Sequence, residues 1–102
     1  MGNLKPDVDL LLSAQRALLG AVPCNLRAVS VELRGSVLLF RAVFGREPTE
    51  EERELLSVAC TEIIADFPQV MQAKEEFLVV SPPAKPEHLA ELVFSRAELK
   101  GE

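Results

Sequence analysis

The sequence predicts an α+β fold with the element order α-β-β-α-β-β, in which two helices cover one face of a four-stranded sheet. Three observations predict it: apolar residues recur at helical spacing in two segments, valine- and leucine-rich segments follow each of them, and glycine or proline separates the segments. Helices and a single sheet must bury one face against each other, so we expect a two-layer α/β sandwich. A circular permutation of the ferredoxin-like fold has the same element order, and the sequence leaves that arrangement and the strand order open.

The first helix is predicted over residues 7–19. Asp7 is a suitable N-cap residue, and Gly20 supplies the stop signal. We expect the apolar side of this helix to face the core, and the residues that recur on it are Val8, Leu11, Leu12, Gln15, Leu18 and Leu19.

Two strands are predicted next, over residues 26–33 and 36–44, joined by a turn at Arg34-Gly35. With that turn, Leu33 lies opposite Ser36, and alternation then assigns every side chain to one of two faces. The expected core face carries Val29, Val31, Leu33, Leu38, Phe40 and Ala42. The second face carries Ala28, Ser30, Glu32, Val37, Leu39, Arg41 and Val43.

The second helix has the strongest start signal in the chain. Thr49 and Glu52 have the spacing of a capping box, and Pro68 marks the end of the helix. Its expected buried stripe consists of Leu55, Leu56, Ala59, Cys60, Ile63, Ile64 and Phe67. Strands over 74–80 and 91–96, with a proline-rich connection between them, complete the fold.

Length and charge limit the classes of function. A chain of 102 residues fits a single α+β domain over residues 1–102. A net charge of −5 disfavours nucleic acid and anionic membranes as partners, whereas it suits the capture of a basic protein. The chain has no apolar run long enough to span a membrane and no secretory signal pattern at its start. We expect Cys24 and Cys60 to be buried free thiols in a cytoplasmic protein.

Few residues offer catalytic chemistry. A single histidine, His88, and two cysteines cannot supply a transition-metal site or an obvious nucleophile–base pair, so we expect no metal, no cofactor and no enzyme activity. The best catalytic alternative is Glu62 with Asp66, four residues apart near the helix end, where the helix dipole could raise their pKa values. The simpler interpretation is that Glu62 pairs with Arg27 or Arg41 of the sheet and that Asp66 interacts locally.

Two surfaces are candidates for binding a protein partner. The acidic candidate consists of Glu50, Glu51, Glu54, Glu62 and Asp66 on the second helix. The apolar candidate is the strip on the second face of the hairpin, formed by Val37, Leu39 and Val43 with Arg41 among them, if no other segment covers it.

Two stretches carry a resemblance to a known family. Leu26-Arg27-Ala28-Val29 follows a first helix ending in Ala17-Leu18-Leu19-Gly20, and Pro48–Glu54 leads to Thr61–Pro68. Over residues 7–80 this combination resembles small bacterial proteins, some of which look like immunity proteins of contact-dependent growth inhibition and related polymorphic toxin systems. The resemblance implies stoichiometric binding to a cognate toxin domain, with no catalytic residue. The matching motif residues include Arg27, Glu62 and Asp66.

The leading hypothesis is therefore a protein-binding immunity protein that neutralises a basic bacterial toxin domain through the acidic surface. The first alternative is a homo-oligomeric structural or accessory protein, such as a homodimer joined through the hairpin strip. The second alternative is an enzyme that uses Glu62 and Asp66.

Overall fold

The structure, a computed structural model, describes residues 7–97. The elements are α1 (Val8–Ala17), β1 (Leu26–Arg34), β2 (Val37–Phe44), α2 (Glu50–Ala65), β3 (Gln72–Val79) and β4 (Glu91–Ser95). The predicted α+β class and element order are confirmed. Neither helix in the described part of the chain is long and apolar enough to cross a membrane.

The sheet has the order β3-β2-β1-β4 and is mixed. β1 is antiparallel to β2 and β4, whereas β2 and β3 are parallel. Parallel neighbours need a crossover connection, and α2 is that crossover. A ferredoxin-like sheet is antiparallel throughout, so the parallel pair excludes the permuted ferredoxin-like arrangement while the two predicted layers remain.

The hairpin turn lies one residue later than predicted. Arg34 pairs with Val37 and Leu33 with Leu38, so the two loop residues are Gly35 and Ser36. Gly35 has a positive φ of 58°, and a two-residue hairpin with glycine first is the pattern of a type II′ turn. The register therefore shifts by two residues, which leaves every side chain on its predicted face.

The predicted core face of the hairpin is confirmed, and both helices pack against it. Val29, Val31, Leu38 and Ala42 are each 0% exposed, and they share one apolar cluster with residues of α1 and α2. In α2 the buried residues are Leu56, Ala59, Cys60 and Ile63, all within the predicted stripe.

The prediction for the first helix was wrong for most of its stripe: Leu18 is buried and Leu11 partly buried, but the other four residues are exposed. Leu10, Ala14 and Ala17 are buried, whereas Val8 and Leu12 of the predicted stripe are exposed. Alanines let α1 lie close to the sheet and α2, so packing rather than the size of the side chains selected the buried side.

The second face of the hairpin is partly covered by the connection between β3 and β4. This connection runs from one edge of the sheet to the other, because its two strands are the edge strands. Buried Arg27 donates from Nη1 to the carbonyl oxygens of Val80 (2.6 Å) and Ala84 (2.9 Å). Buried Ser30 accepts through Oγ from the amide of Leu89 at 2.9 Å. The buried polar groups of β1 thus fix the path of the connection.

The capping box of α2 is confirmed. The hydroxyl of Thr49 accepts from the amide of Glu52 at 3.1 Å, and the carboxylate of Glu52 accepts from the amide of Thr49 at 2.9 Å. These reciprocal bonds satisfy backbone donors that a helix start leaves unpaired.

Replacing Thr49 with alanine should lower the free energy of unfolding by about 1 kcal/mol, because the first turn of α2 loses its hydroxyl acceptor. Urea denaturation measures this difference. Thr61, which donates only to the carbonyl oxygen of Ser57 within the same helix, provides the matched control. Thr61→Ala should change stability by less than about 0.5 kcal/mol. Equal losses in the two variants would contradict the capping role.

Candidate functional site

The acidic residues predicted as a binding surface lie along the solvent side of α2. Glu50, Glu54, Glu62 and the C-cap residue Asp66 are spaced by multiples of four residues, with Val58 filling the gap. All five are exposed. Residues four apart are neighbours on a helix surface, so they form a continuous row, which we call the acidic row, and exposed Glu51 lies beside it.

Most carboxylates of the acidic row are not paired with a cation. Arg53, the basic residue of α2, forms an ion pair with Glu47, outside the row. In the described part of the chain, Glu50, Glu51, Glu54 and Glu62 take part in no hydrogen bond or ion pair of their side chains. Four carboxylates that form no ion pair, three of them clustered in the first two turns of α2, produce a negative potential over this side of the molecule.

The expected pairing of Glu62 with an arginine of the sheet was wrong. Arg41 donates from Nε to Glu76 at 2.7 Å and from Nη1 to the carbonyl oxygen of Glu87 at 3.0 Å. Arg27 holds the connection, as described above. Both arginines serve the face of the sheet opposite the helices, whereas Glu62 lies on the helix layer.

Asp66 connects the two helices rather than interacting locally. Its Oδ2 accepts from the hydroxyl of buried Ser13 at 2.7 Å and from Nη2 of Arg16 at 3.0 Å. The hydrogen bond from Ser13, together with the bond and charge of Arg16, lowers the pKa of Asp66 below its ordinary value. This direction is opposite to the raised pKa that the catalytic hypothesis considered.

A groove between α1 and α2 adjoins the acidic row, and the sequence did not predict it. One part, with a volume of about 400 Å³, is lined by Ser13, Arg16, Ala17, Leu19, Glu62 and Asp66. The next part, of about 310 Å³, shares Ser13, Arg16 and Asp66 and adds Asp9, Leu12 and Phe67. The structure therefore brings Glu62 and Asp66 of the predicted set together at one groove.

The apolar hairpin strip is on the opposite face of the sheet from the acidic row. Val37, Leu39 and Arg41 are each partly buried, and Val43 on the same face is 1% exposed. Leu39 and Arg41 line a hollow of about 240 Å³ together with Leu89 of the connection. The connection therefore leaves only part of this strip open to a partner.

The cysteines differ in exposure. Cys60 is buried as predicted, but Cys24 is exposed, and both are free. Burial, followed in size by the neighbouring Glu75, raises the pKa of Cys60 to about 12. Cys60 is therefore a neutral core residue at physiological pH.

A basic cleft on the connection side is a further feature that the sequence did not reveal. It has a volume of about 240 Å³, and Arg27, Lys85, His88 and Arg96 line it. Its residues come from β1, the connection and the end of β4, so only the fold brings them together. Within residues 7–97, no three His, Cys, Asp or Glu side chains are placed to hold a metal ion.

Comparison with known proteins identifies the family. A family model described as MafI2 immunity protein matches residues 7–98, and the chain therefore belongs to this family. No curated protein matches the chain. Membership supports a toxin-neutralising immunity role and implies a cognate toxin as the partner, and immunity proteins of this kind are generally non-catalytic. The predicted resemblance to immunity proteins is confirmed.

The bonds to Asp66 should make stability depend on pH. The pKa of Asp66 in the folded chain lies below its ordinary value of 3.8, so its stabilising effect is complete at neutral pH. It is lost as the pH falls below that value and through the lower pKa of the folded state. Asp66→Asn should therefore lower Tm at pH 7, with a difference from wild type that shrinks in strong acid. Thermal unfolding followed by circular dichroism measures both.

Glu62→Gln is the matched control for this pH profile, because it removes an exposed carboxylate from the same end of α2. Its Tm should stay close to that of wild type from acid to neutral pH. An Asp66→Asn variant with the same Tm deficit at every pH would contradict the ionic origin of the effect.

Thiol labelling should separate the two cysteines. A chromogenic disulfide reagent should modify Cys24 rapidly in the native protein and Cys60 only after denaturation, because Cys60 is buried and its pKa is raised to about 12. Cys24→Ser should remove the rapid phase. Rapid labelling of a Cys24→Ser variant under native conditions would contradict the burial of Cys60.

Proposed function

We propose that this MafI2-family immunity protein binds its cognate toxin one to one through the outer surface of the helix layer, with the acidic row directed at a basic face of the toxin. Binding at that face blocks the toxin surface on which its activity depends. The observation that carries this proposal is the lack of ion pairs along this surface. In the described chain, Glu50, Glu54 and Glu62 of the acidic row and the adjacent Glu51 form no ion pair.

Charge complementarity accounts for fast capture. The chain has a net charge of −5, and the acidic row concentrates negative charge on one side. Opposite potentials steer two proteins together and raise association rates well above those of neutral pairs. An immunity protein gains from speed, because a toxin that is captured quickly acts on fewer targets before it is inhibited.

Support for a cytoplasmic location comes from the thiols. Cys24 and Cys60 are both free, and free thiols persist in reducing compartments. We therefore propose that neutralisation takes place in the cytoplasm.

Homodimer formation through the hairpin strip is the weaker candidate. The connection covers part of Val37, Leu39 and Arg41, and stable dimers bury large continuous surfaces. We propose that the free protein is a monomer, and multi-angle light scattering distinguishes the two states.

Charge reversal in the acidic row should weaken toxin binding. Glu54→Lys and Glu62→Lys should each lower the association rate, and the double variant should raise Kd by about tenfold or more at low salt. The differences should diminish at high salt, where screening removes the steering. Surface plasmon resonance against the toxin that co-purifies with the wild-type chain, repeated over a range of salt concentrations, measures both rates.

Glu87→Lys is the control, because it makes the same change of charge at an exposed residue of the connection on the other side of the sheet. It should leave the association rate nearly unchanged. If Glu87→Lys weakens binding as much as Glu54→Lys does, the overall charge and not the acidic row governs capture, and the proposed surface is wrong.

A further inference from the structure

Three large aliphatic side chains of the first helical segment point away from the core. Val8 is 57% exposed, Leu12 is 52% exposed and Leu19, just beyond α1, is 79% exposed. Their spacing of four and seven residues places them on one side of the helix. We call this set the leucine strip. Folding does not require these side chains to be large, because the opposite side of α1 packs against the core.

The leucine strip borders the groove between α1 and α2. Leu12 lines the part of the groove next to Phe67, and Leu19 lines the part next to Glu62. The buried side chains of Ser13 and Ala17 are small, which leaves room between the two helices. The leucine strip and the acidic row therefore meet at the groove between α1 and α2.

The residues that line the groove determine which side chains of a partner it can bind. Its lining includes three carboxylates, Asp9, Glu62 and Asp66, against one guanidinium, Arg16, which is paired with Asp66. Leucine side chains beside a carboxylate can bind a lysine or arginine side chain. Its aliphatic stem packs against the leucines, and its charged end pairs with the carboxylate oxygens. Apolar residues at the centre with charges around them are also the usual anatomy of a protein interface.

We propose that the leucine strip and the adjoining groove are the centre of the toxin interface, where they receive a lysine or arginine of the toxin together with a neighbouring apolar side chain. This inference rests on the proposed function and adds a division of roles to it. The acidic row sets the rate of encounter, whereas the leucine strip sets the lifetime of the complex. Truncations at the desolvated centre of an interface act mainly on dissociation.

The test compares alanine substitutions at exposed aliphatic residues. Leu12→Ala and Leu19→Ala should each increase the dissociation rate from the co-purified toxin by about tenfold. The increase should be the same at low and high salt, because apolar contacts are screened little. Met71→Ala and Leu92→Ala are the controls, since Met71 is 82% exposed, Leu92 is 44% exposed, and neither lines the groove. The amide of Met71 donates to the carbonyl oxygen of Ser36 in the hairpin turn, and Leu92 lies opposite Ser30 in the sheet. Neither control should change the rates.

A second measurement does not depend on substitutions. Hydrogen–deuterium exchange should show slower exchange in residues 8–19 when the toxin is bound, with β4 unchanged. Unchanged dissociation rates in both leucine variants, or losses as large in the two controls, overturn the inference. A dimer of the free protein that Leu19→Ala dissociates also overturns it, because the occupant is then a second copy of the chain.

The failures of the two proposals can be distinguished. If Glu54→Lys and Glu62→Lys slow association while the leucine variants dissociate at the wild-type rate, the acidic surface stands and the leucine strip is not its centre. If the leucine variants dissociate faster while charge reversal has no effect, the leucine strip is the centre of the interface. The proposal that the acidic row accelerates association is then wrong.

Discussion

The structure depends on the burial of β1 from both sides. Residues 26–31 are all buried, although the segment includes Arg27 and Ser30. The helices cover Val29 and Val31 on one face, and the connection covers Arg27 and Ser30 on the other. A buried polar group lowers the stability of the fold unless it is hydrogen-bonded. Arg27 and Ser30 find their partners in the backbone of the connection, and these bonds fix its position. In the described chain, every buried side-chain nitrogen and oxygen has a partner.

This constraint divides the molecule into two unequal sides. The connection crosses one face of the sheet, and its backbone takes part in bonds with Arg27, Ser30 and Arg41. The helix layer carries no further layer of chain within residues 7–97, and the acidic row and the leucine strip lie there. The two surfaces that make up the proposed interface therefore lie together on the side opposite the connection.

Much of the fold could be predicted from the sequence because it follows from local rules. The Thr49–Glu52 capping box is set by spacing alone, and the faces of the hairpin survived an error in the turn because a shift of two residues preserves alternation. The buried side of α1 could not be predicted in this way. It follows from how closely Ala14 and Ala17 let the helix approach its neighbours, which periodicity does not record. The strand order and the β-bulge between Leu26 and Ala28 are likewise tertiary.

The same distinction applies to the candidate site. Helical spacing predicted that Glu62 and Asp66 share a face, and the structure places both at one groove, although their part in toxin binding stays a prediction. The groove was beyond the sequence, because it exists only where Ser13 and Arg16 of one helix meet Asp66 of the other. The error about α1 also arises from tertiary packing, because Val8 and Leu12 were predicted to be buried and are exposed.

The position of β3 at the edge of the sheet affects the tendency of the protein to aggregate. As an edge strand of eight residues, β3 has peptide groups along its outer side that could pair with another chain. Lys74, Glu75 and Glu76 occupy consecutive positions in its middle, and all three are exposed. Fibril-like stacking of identical strands would bring like charges together at each of these positions. Such repulsion disfavours pairing of this edge strand with a second copy of the chain.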